Sequence, residues 1–395
     1  MDEIEVPPYF LCPISLEMMK DPVTVSTGIT YDRESIEKWI FSEKNYTCPV
    51  TKQALALDTD QLTPNHTLRR LIQSWCTLHA SHGIQRFPTP KPPATKTQIT
   101  KLLNDAVKSP NLQLKSLQQL RSIASSSHAN KRAIEEAGAV NFLASLLTAD
   151  AATREEAISI LHHLQLSEAG LKSLSGHVDS LTRVMQTGSY ESRAYAVMLL
   201  SSVSEVAEPI HLISLRAEVF IELVKLLRDQ ISTKATKSAL QLMINVGPWG
   251  RNRIKAIDAG AAHALIDLLV DSTEKRGCEM ALVALDQLCQ CAEGRAELLS
   301  HSAGLAVVSK KILRVSKLGS ERAVRVLYAV AKFCGTPSVL QEMLQLGIVA
   351  KLCLVLQVDC GSRIKERARE ILKLHSRVWK DSPCIPITLL STYPA

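Results

Sequence analysis

The feature that most constrains this chain is a repeat. Gly138, Gly176, Glu218, Gly260, Ser302 and Gly347 open equivalent segments that are 38, 42, 42, 42 and 45 residues apart. Five residues after each opening stands Leu143, Leu181, Leu223, Leu265, Val307 or Leu352. An apolar pair follows at Leu146-Leu147, Val184-Met185, Leu226-Leu227, Leu268-Leu269 and Val355-Leu356, and the fifth segment departs from it with Lys310-Lys311. Every segment then carries an alanine: Ala157, Ala196, Ala239, Ala281, Ala323 and Ala368. In five of the six, apolar residues stand four and seven places beyond it, as Leu285 and Leu288 do after Ala281; the last has His375 at the second place.

Spacings of four and seven put side chains on one face of a helix. Each segment therefore predicts a shorter helix, a turn and a longer helix. Its apolar stripe is too narrow to be buried without a neighbour. Stacking such units gives a solenoid, and a period near 42 residues is that of armadillo or HEAT repeats. Glycine at the segment openings suits the sharp turn that armadillo repeats make there. Residues 98–380 thus resemble armadillo repeats, with six recognisable units and a degenerate one around 97–128, followed by a tail at 381–395. A composition of 46% apolar but only 4% aromatic residues suits packed helices better than a β-sandwich.

A solenoid offers a surface rather than chemistry. The regular tryptophans and asparagines of import receptors have no counterpart here: Trp249 and Asn252 occur once, outside the long helices. Lys310, Lys311, Arg314, Lys317, Arg322 and Arg325 cluster in the fifth unit. They are the candidate patch for an acidic segment of a protein substrate, against the alternative of a solvated helix face.

Residues 81–97 separate this half from the first. Pro88, Pro90, Pro92 and Pro93 favour an extended polyproline stretch, a semi-rigid spacer of roughly 30 Å.

Residues 5–80 carry the specific signal. A loop at Cys12-Pro13-Ile14 is followed by a hairpin, with Val23 and Val25 on one strand, a turn at Thr27-Gly28, and Ile29 and Tyr31 on the other. Asp32 is placed to cap a helix with the apolar face Ile36, Trp39 and Ile40. A second loop, TCPVTKQ, comes next, and Pro64-Asn65 opens a helix with Leu68, Leu71, Ile72, Trp75 and Leu78 on its face. Two loops braced by a central helix is the layout of a RING finger, which needs eight zinc ligands. Up to residue 80 there are only Cys12, Cys48, Cys76, His66 and His79, with no CxxC, so counting excludes two zinc sites. Hydrogen bonds and ion pairs must hold the loops instead, with Glu17, Lys20, Asp21, Asp32, Arg33 and Asn65 as candidates.

FLCPISLEMMKDPV, TGITYDRESIEKW, TCPVTKQ and LTPNHTLRRLIQSWC resemble the U-box consensus across residues 8–78. A U-box followed by armadillo repeats resembles the plant U-box ubiquitin ligases. The resemblance runs on through the proline spacer and CAEGRAE to the C-terminal tail. The fold it implies is mainly α, a small zinc-free α+β U-box followed by an armadillo-type α-solenoid. The function it implies is transfer of ubiquitin from a charged conjugating enzyme to lysines of a bound substrate, in stress or defence signalling and often as a negative regulator. By the same resemblance Ile14, Leu16, Trp39, Pro49 and Lys52 contact the conjugating enzyme. Lys52 stands where many members carry arginine, whose planar fork it lacks. Cys12, Pro13, Glu17, Asp21, Asp32, Arg33 and Asn65 form the structural network. No covalent ubiquitin acceptor, metal or cofactor is expected, and the box is a candidate for homodimerisation. The competing reading is a non-catalytic armadillo scaffold.

The net charge of +7 is modest and dispersed, and does not call for nucleic acid. The acidic start MDEIEVPPYF lacks the features of a secretory signal, and no apolar run reaches the length of a membrane span. Ten cysteines without a framework read as reduced thiols, so a cytoplasmic location is expected.

Overall fold

The computed structural model describes residues 5–42, 45–55, 62–82, 84, 94–108, 110–379 and 393. The proline run and most of the C-terminal tail lie outside these residues. Packing divides the chain into two compact units, 1–137 and 138–395.

In the first unit, β1 (Pro22–Thr24) and β2 (Thr30–Asp32) form the expected hairpin, with Val23 opposite Tyr31. Gly28, at φ +81°, makes the turn, and its N–H donates to Val25 O at 2.9 Å. The other edge of β1 pairs with β3 (Thr63–Pro64), so the order is β2-β1-β3. Helix α1 (Arg33–Glu37) runs into a wider π-type turn at Lys38–Ser42, and α2 (His66–Leu78) follows β3. Phe10, Met19, Val23, Tyr31, Ile36, Ile40 and Ile72 make the core. The expected apolar face of α2 is wider than that core. Ile72 is buried, and Leu68 and Trp75 are partly so, but Leu71 and Leu78 face solvent. Helices α3 (Lys96–Lys108), α4 (Pro110–Ser126) and α5 (His128–Glu136) complete the unit.

The second unit is a helical solenoid. It begins with α6 (Ala139–Ser145) and α7 (Ala151–Leu164). Three-helix repeats follow: α8 (Glu168–Leu174), α9 (Val178–Thr187) and α10 (Tyr190–Val206), then α11 (Pro209–Ile213), α12 (Ala217–Asp229) and α13 (Thr233–Val246). The next two are α14 (Asn252–Asp258), α15 (Ala261–Asp271) and α16 (Lys275–Leu288), and α17 (Ala292–Ser300), α18 (Gly304–Lys311) and α19 (Lys317–Phe333). Helices α20 (Pro337–Gln345), α21 (Ile348–Gln357), α22 (Ser362–Leu374) and α23 (Ser376–Trp379) close the series. The sequence periodicity shows two helices per repeat; the structure adds a short third one before each pair. Those short helices bury too few side chains to leave a stripe.

The alanines at the head of the long helices are all fully buried, which lets successive long helices approach closely. Gly138, Gly260 and Gly347 sit at positive φ (80°, 85° and 68°) where α6, α15 and α21 begin. In CAEGRAE, a Cβ on Gly294 would lie 2.1 Å from Leu288 O, so only glycine fits. Its neighbour Arg295 is buried, donates to Cys289 O at 3.0 Å and lies over the Phe333 ring. Asn252 is fully buried and donates to Leu212 O and Val246 O, a brace between repeats. No single helix among the described residues is long and apolar enough to cross a membrane.

Candidate functional site

Two loops of the first unit have the same sequence pattern and the same geometry. Cys12-Pro13-Ile14-Ser15-Leu16-Glu17 corresponds residue for residue to Cys48-Pro49-Val50-Thr51-Lys52-Gln53. Cys12 N–H donates to Glu17 O and Cys48 N–H to Gln53 O, each at 2.8 Å. Leu16 N–H donates to Cys12 O, as Lys52 N–H does to Cys48 O. Leu16 and Lys52 both sit in the left-handed region, at φ 58° and 60°. Bridges Leu11–Met18 and Thr47–Ala54 close the two loops.

This geometry displays apolar side chains. Leu16 is 75% exposed and Val50 52%, while Ile14 and Pro49 are half-buried. Lys52 is exposed. Trp39, half-buried, donates its indole N–H to Thr47 O at 2.8 Å and so ties the π-type turn to the second loop. Val50 was not among the expected contact residues. The signal for it was in the sequence, because Val50 is the counterpart of Ile14 when CPIS is laid over CPVT.

Side chains connect these loops to the sheet. Asp32 stands at the N-cap of α1 but does not cap it. Its Oδ1 instead accepts the backbone N–H groups of Lys20 and Asp21, at 2.8 and 2.9 Å, which holds the chain leaving the first loop. Asp21 receives Arg33 Nε at 2.7 Å and is also paired with Arg69, a partner absent from the expected network. Asn65 caps α2 through Leu68 N–H at 3.0 Å, and its own N–H donates to Pro22 O. Glu17 contributes its backbone carbonyl, and its side chain is exposed, as is Pro13.

The second loop hangs on Tyr31 and Cys48. Tyr31 OH lies 3.0 Å from Cys48 Sγ and accepts Val50 N–H at 3.3 Å. Burial, together with the bond to Cys48, raises the Tyr31 pKa, so the phenol keeps its proton. Burial also works against ionising Cys48. Hydrogen bonds from Thr27, Thr51 and Tyr31 outweigh it and bring the thiol down to about 6. Cys12 Sγ accepts Asp32 N–H at 3.3 Å, and Cys76 Sγ points to Met18 Sδ at 3.7 Å. All three cysteines have no exposed surface. Among the described residues no group of three or more His, Cys, Asp or Glu side chains is arranged to hold a metal.

The candidate patch on the solenoid divides. Arg322 Nη1 and Arg325 Nε lie 3.0 and 3.3 Å from Oδ2 of the buried Asp286. Burial raises the Asp286 pKa, with the two arginines acting against it, so these cations serve chiefly to compensate an interior charge. Lys311 donates to Ser272 O at 2.8 Å, which explains how a lysine pair is tolerated where other repeats have apolar residues. Lys310, Arg314 and Lys317 are exposed.

Comparison with known proteins matches residues 6–81 to the U-box domain and 98–395 to the plant U-box protein ARM repeat region. E3 ubiquitin-protein ligase PUB23 of Arabidopsis thaliana is 57% identical, over 100% of this chain and 98% of its own length. The chain belongs to the plant U-box ubiquitin ligases with armadillo repeats. E3 ubiquitin-protein ligase PUB22 of the same plant is 55% identical, over 100% of this U-box ligase and 99% of its own length. A chain from a solved structure on the interaction of cadherin with beta-catenin shares the fold, with TM-score 0.61 at 15% identity, covering 78% of the U-box ligase and 58% of that chain. The U-box ligase is therefore a ubiquitin-protein transferase, with a mainly helical fold of U-box and armadillo-like repeats.

Proposed function

We propose that this ligase recruits a ubiquitin-charged conjugating enzyme on the paired loops and passes ubiquitin to lysines of a protein held by its armadillo repeats. The observation that carries this reading is the matched display of Ile14 and Leu16 on one loop and Pro49, Val50 and Lys52 on the other, with Trp39 between them. Exposed apolar side chains on rigid turns suit a weak, transient encounter between enzymes. Held there, the thioester meets the substrate amine as a neighbour rather than as a solute, which is the kinetic gain. The cysteines of the U-box are fully buried, and the hydrogen bonds of Cys12 and Cys48 support a part in holding the loops. The family resemblance supports a role in stress or defence signalling, and the free cysteines among the described residues support a cytoplasmic location.

The test is autoubiquitination with activating enzyme, a panel of conjugating enzymes, ATP and the full chain, alongside an Ile14→Ala/Val50→Ala variant. A ladder that needs the conjugating enzyme and is lost in the folded variant supports the proposal. A ladder of equal strength in the variant removes the loops from the mechanism.

A further inference from the structure

Charge on the solenoid is unevenly neutralised. Some cations of the middle repeats meet carboxylates: Arg193–Asp229 at 2.7 Å, Arg216–Asp179 at 3.0 Å, Lys237–Glu274 at 3.4 Å. Lys310, Arg314, Lys317, Lys351 and Lys365 stand out because they lie together. Among the described residues none of the five has a carboxylate within ion-pair distance. They gather on two neighbouring segments, the end of α18 through the first turn of α19, and α21 through the first turn of α22. Helix α18 packs on α21, and α19 on α22.

The two segments touch through these cations. Gly361, at φ +102°, would carry a Cβ 2.8 Å from Lys317 Cε, so glycine lets the Lys317 stem lie across the second loop. Lys351 is half-buried, and both its burial and the Arg314 charge beside it lower its pKa. Such clustering is unfavourable in the free protein and is relieved by an incoming anion. Asp359, the one carboxylate on the second loop, is exposed and forms no ion pair. Leu318 and Val358, on the same two segments, are exposed enough to add apolar contact.

We propose that this edge of the C-terminal repeats binds an acidic peptide segment of the substrate. The inference rests on the reading that the armadillo repeats hold the substrate, and it names the chemistry they select. It also moves the binding patch away from Arg322 and Arg325, which Asp286 occupies. An acidic segment places several carboxylates among cations that lack a partner, each pair screened by salt but collectively fixing register.

The experiment uses the full chain and a fluorescein-labelled glutamate-rich peptide, read by anisotropy. A lysine-rich peptide of equal length, phosphatidylserine vesicles and single-stranded RNA are run as competitors. Arg314→Glu/Lys351→Glu is expected to weaken peptide binding by about tenfold or more, with salt weakening the wild type as well. Lys310→Glu/Lys317→Glu, with both positions exposed, serves if the half-buried Lys351 proves intolerant. Lys234→Glu/Lys275→Glu makes the same change in net charge on other repeats and is expected to bind as the wild type does. Equal weakening by all three variants would reduce the effect to net charge and overturn the proposal. So would tighter binding of vesicles or RNA than of peptide, or no binding of the peptide at low salt. Autoubiquitination is measured in parallel and is expected to persist in every variant. A wild type that gives no ladder but binds the peptide would sink the ligase reading alone.

Discussion

The Glu37 carboxylate accepts the backbone N–H of His128 at 3.3 Å, across 91 residues of sequence. Glu37 ends α1 of the U-box, and His128 begins α5, so a U-box side chain occupies the N-terminus of a helix well beyond the proline segment. Glu37 is 8% exposed, and Arg33 Nη1 lies 3.7 Å from its other oxygen. The free N–H groups and dipole of the helix end favour the negative charge. The two ends of the proline segment are thereby brought into one packed unit.

Glu37→Gln keeps an acceptor for His128 N–H and is expected to change stability at neutral pH by less than about 1 kcal/mol, whereas Glu37→Ala should cost about 1–3 kcal/mol. Chemical denaturation of the full chain, following the first transition, measures both. A Glu37→Ala protein as stable as wild type would remove the contact from the account of the unit.

The same pair makes opposite contributions to pH dependence. Burial raises the Glu37 pKa against the influence of Arg33 and His128 N–H, so the native state holds that proton more tightly. Its contribution to stability therefore falls as pH rises through the interval above the ordinary carboxylate value. Burial, then the Arg132 and Lys131 charges, push His128 down to about 4. Its contribution is lost as pH falls from the ordinary histidine value of 6.5 towards 4. Relative to wild type, His128→Gln should gain stability below neutrality and Glu37→Gln should gain it on the alkaline side. Melting curves at several pH values test the crossing, and parallel curves for the three proteins would refute it.

Asp21 answers two arginines at a site with little solvent. Asp21→Asn leaves Arg69 without its charge partner and Arg33 with Glu37 alone, and is expected to destabilise the U-box by about 3 kcal/mol, with loss of ubiquitin transfer following from loss of fold. Circular dichroism and urea unfolding check it. A stable variant would show that the Asp32 bonds alone hold the first loop.

Trp39 has two roles that substitution can separate. Trp39→Phe keeps apolar surface and loses the bond to Thr47 O, at an expected cost of about 1 kcal/mol in stability and a smaller loss of transfer. Trp39→Ala should lose both. Equal transfer rates for the two variants would deny the ring a part in the contact surface.

Val50 and Ile14 occupy equivalent turns, so each truncation to alanine should weaken conjugating-enzyme binding by about tenfold, without altering the melting point for the exposed Val50 and with a small drop for Ile14, which packs partly on the core. Surface plasmon resonance with the charged enzyme reads the first quantity. A Val50→Ala protein with unchanged affinity would make the second loop a spacer.

Much of the fold was legible because it depends on short-range order. The alanines Ala157 to Ala368 keep their register with Leu or Met four residues on, and that pattern writes out the long helices directly. The hairpin was readable from Val23, Val25 and Gly28 in the same way. The short third helices were not, since α11 buries little more than Leu212. Within the site, Ile14 and Leu16 were visible beside Cys12-Pro13, but Arg69 as the partner of Asp21 was not. Their separation of 48 positions carries no spacing rule, and only the docking of α2 on the sheet joins them.

By itself, then, the sequence determined what repeats: the armadillo period, the two CP loops, and a ligand count short of the eight that two zinc sites need. Each is a local pattern whose backbone consequence follows from helical or turn geometry alone. Tertiary structure decided which polar groups meet. Asp32 turned from its own helix to the Lys20 and Asp21 amides, Asp286 took Arg322 and Arg325 out of the basic patch, and Glu37 reached His128. The reason is physical. A buried charge takes whatever donor packing brings within hydrogen-bond reach, and packing brings together residues far apart along the chain.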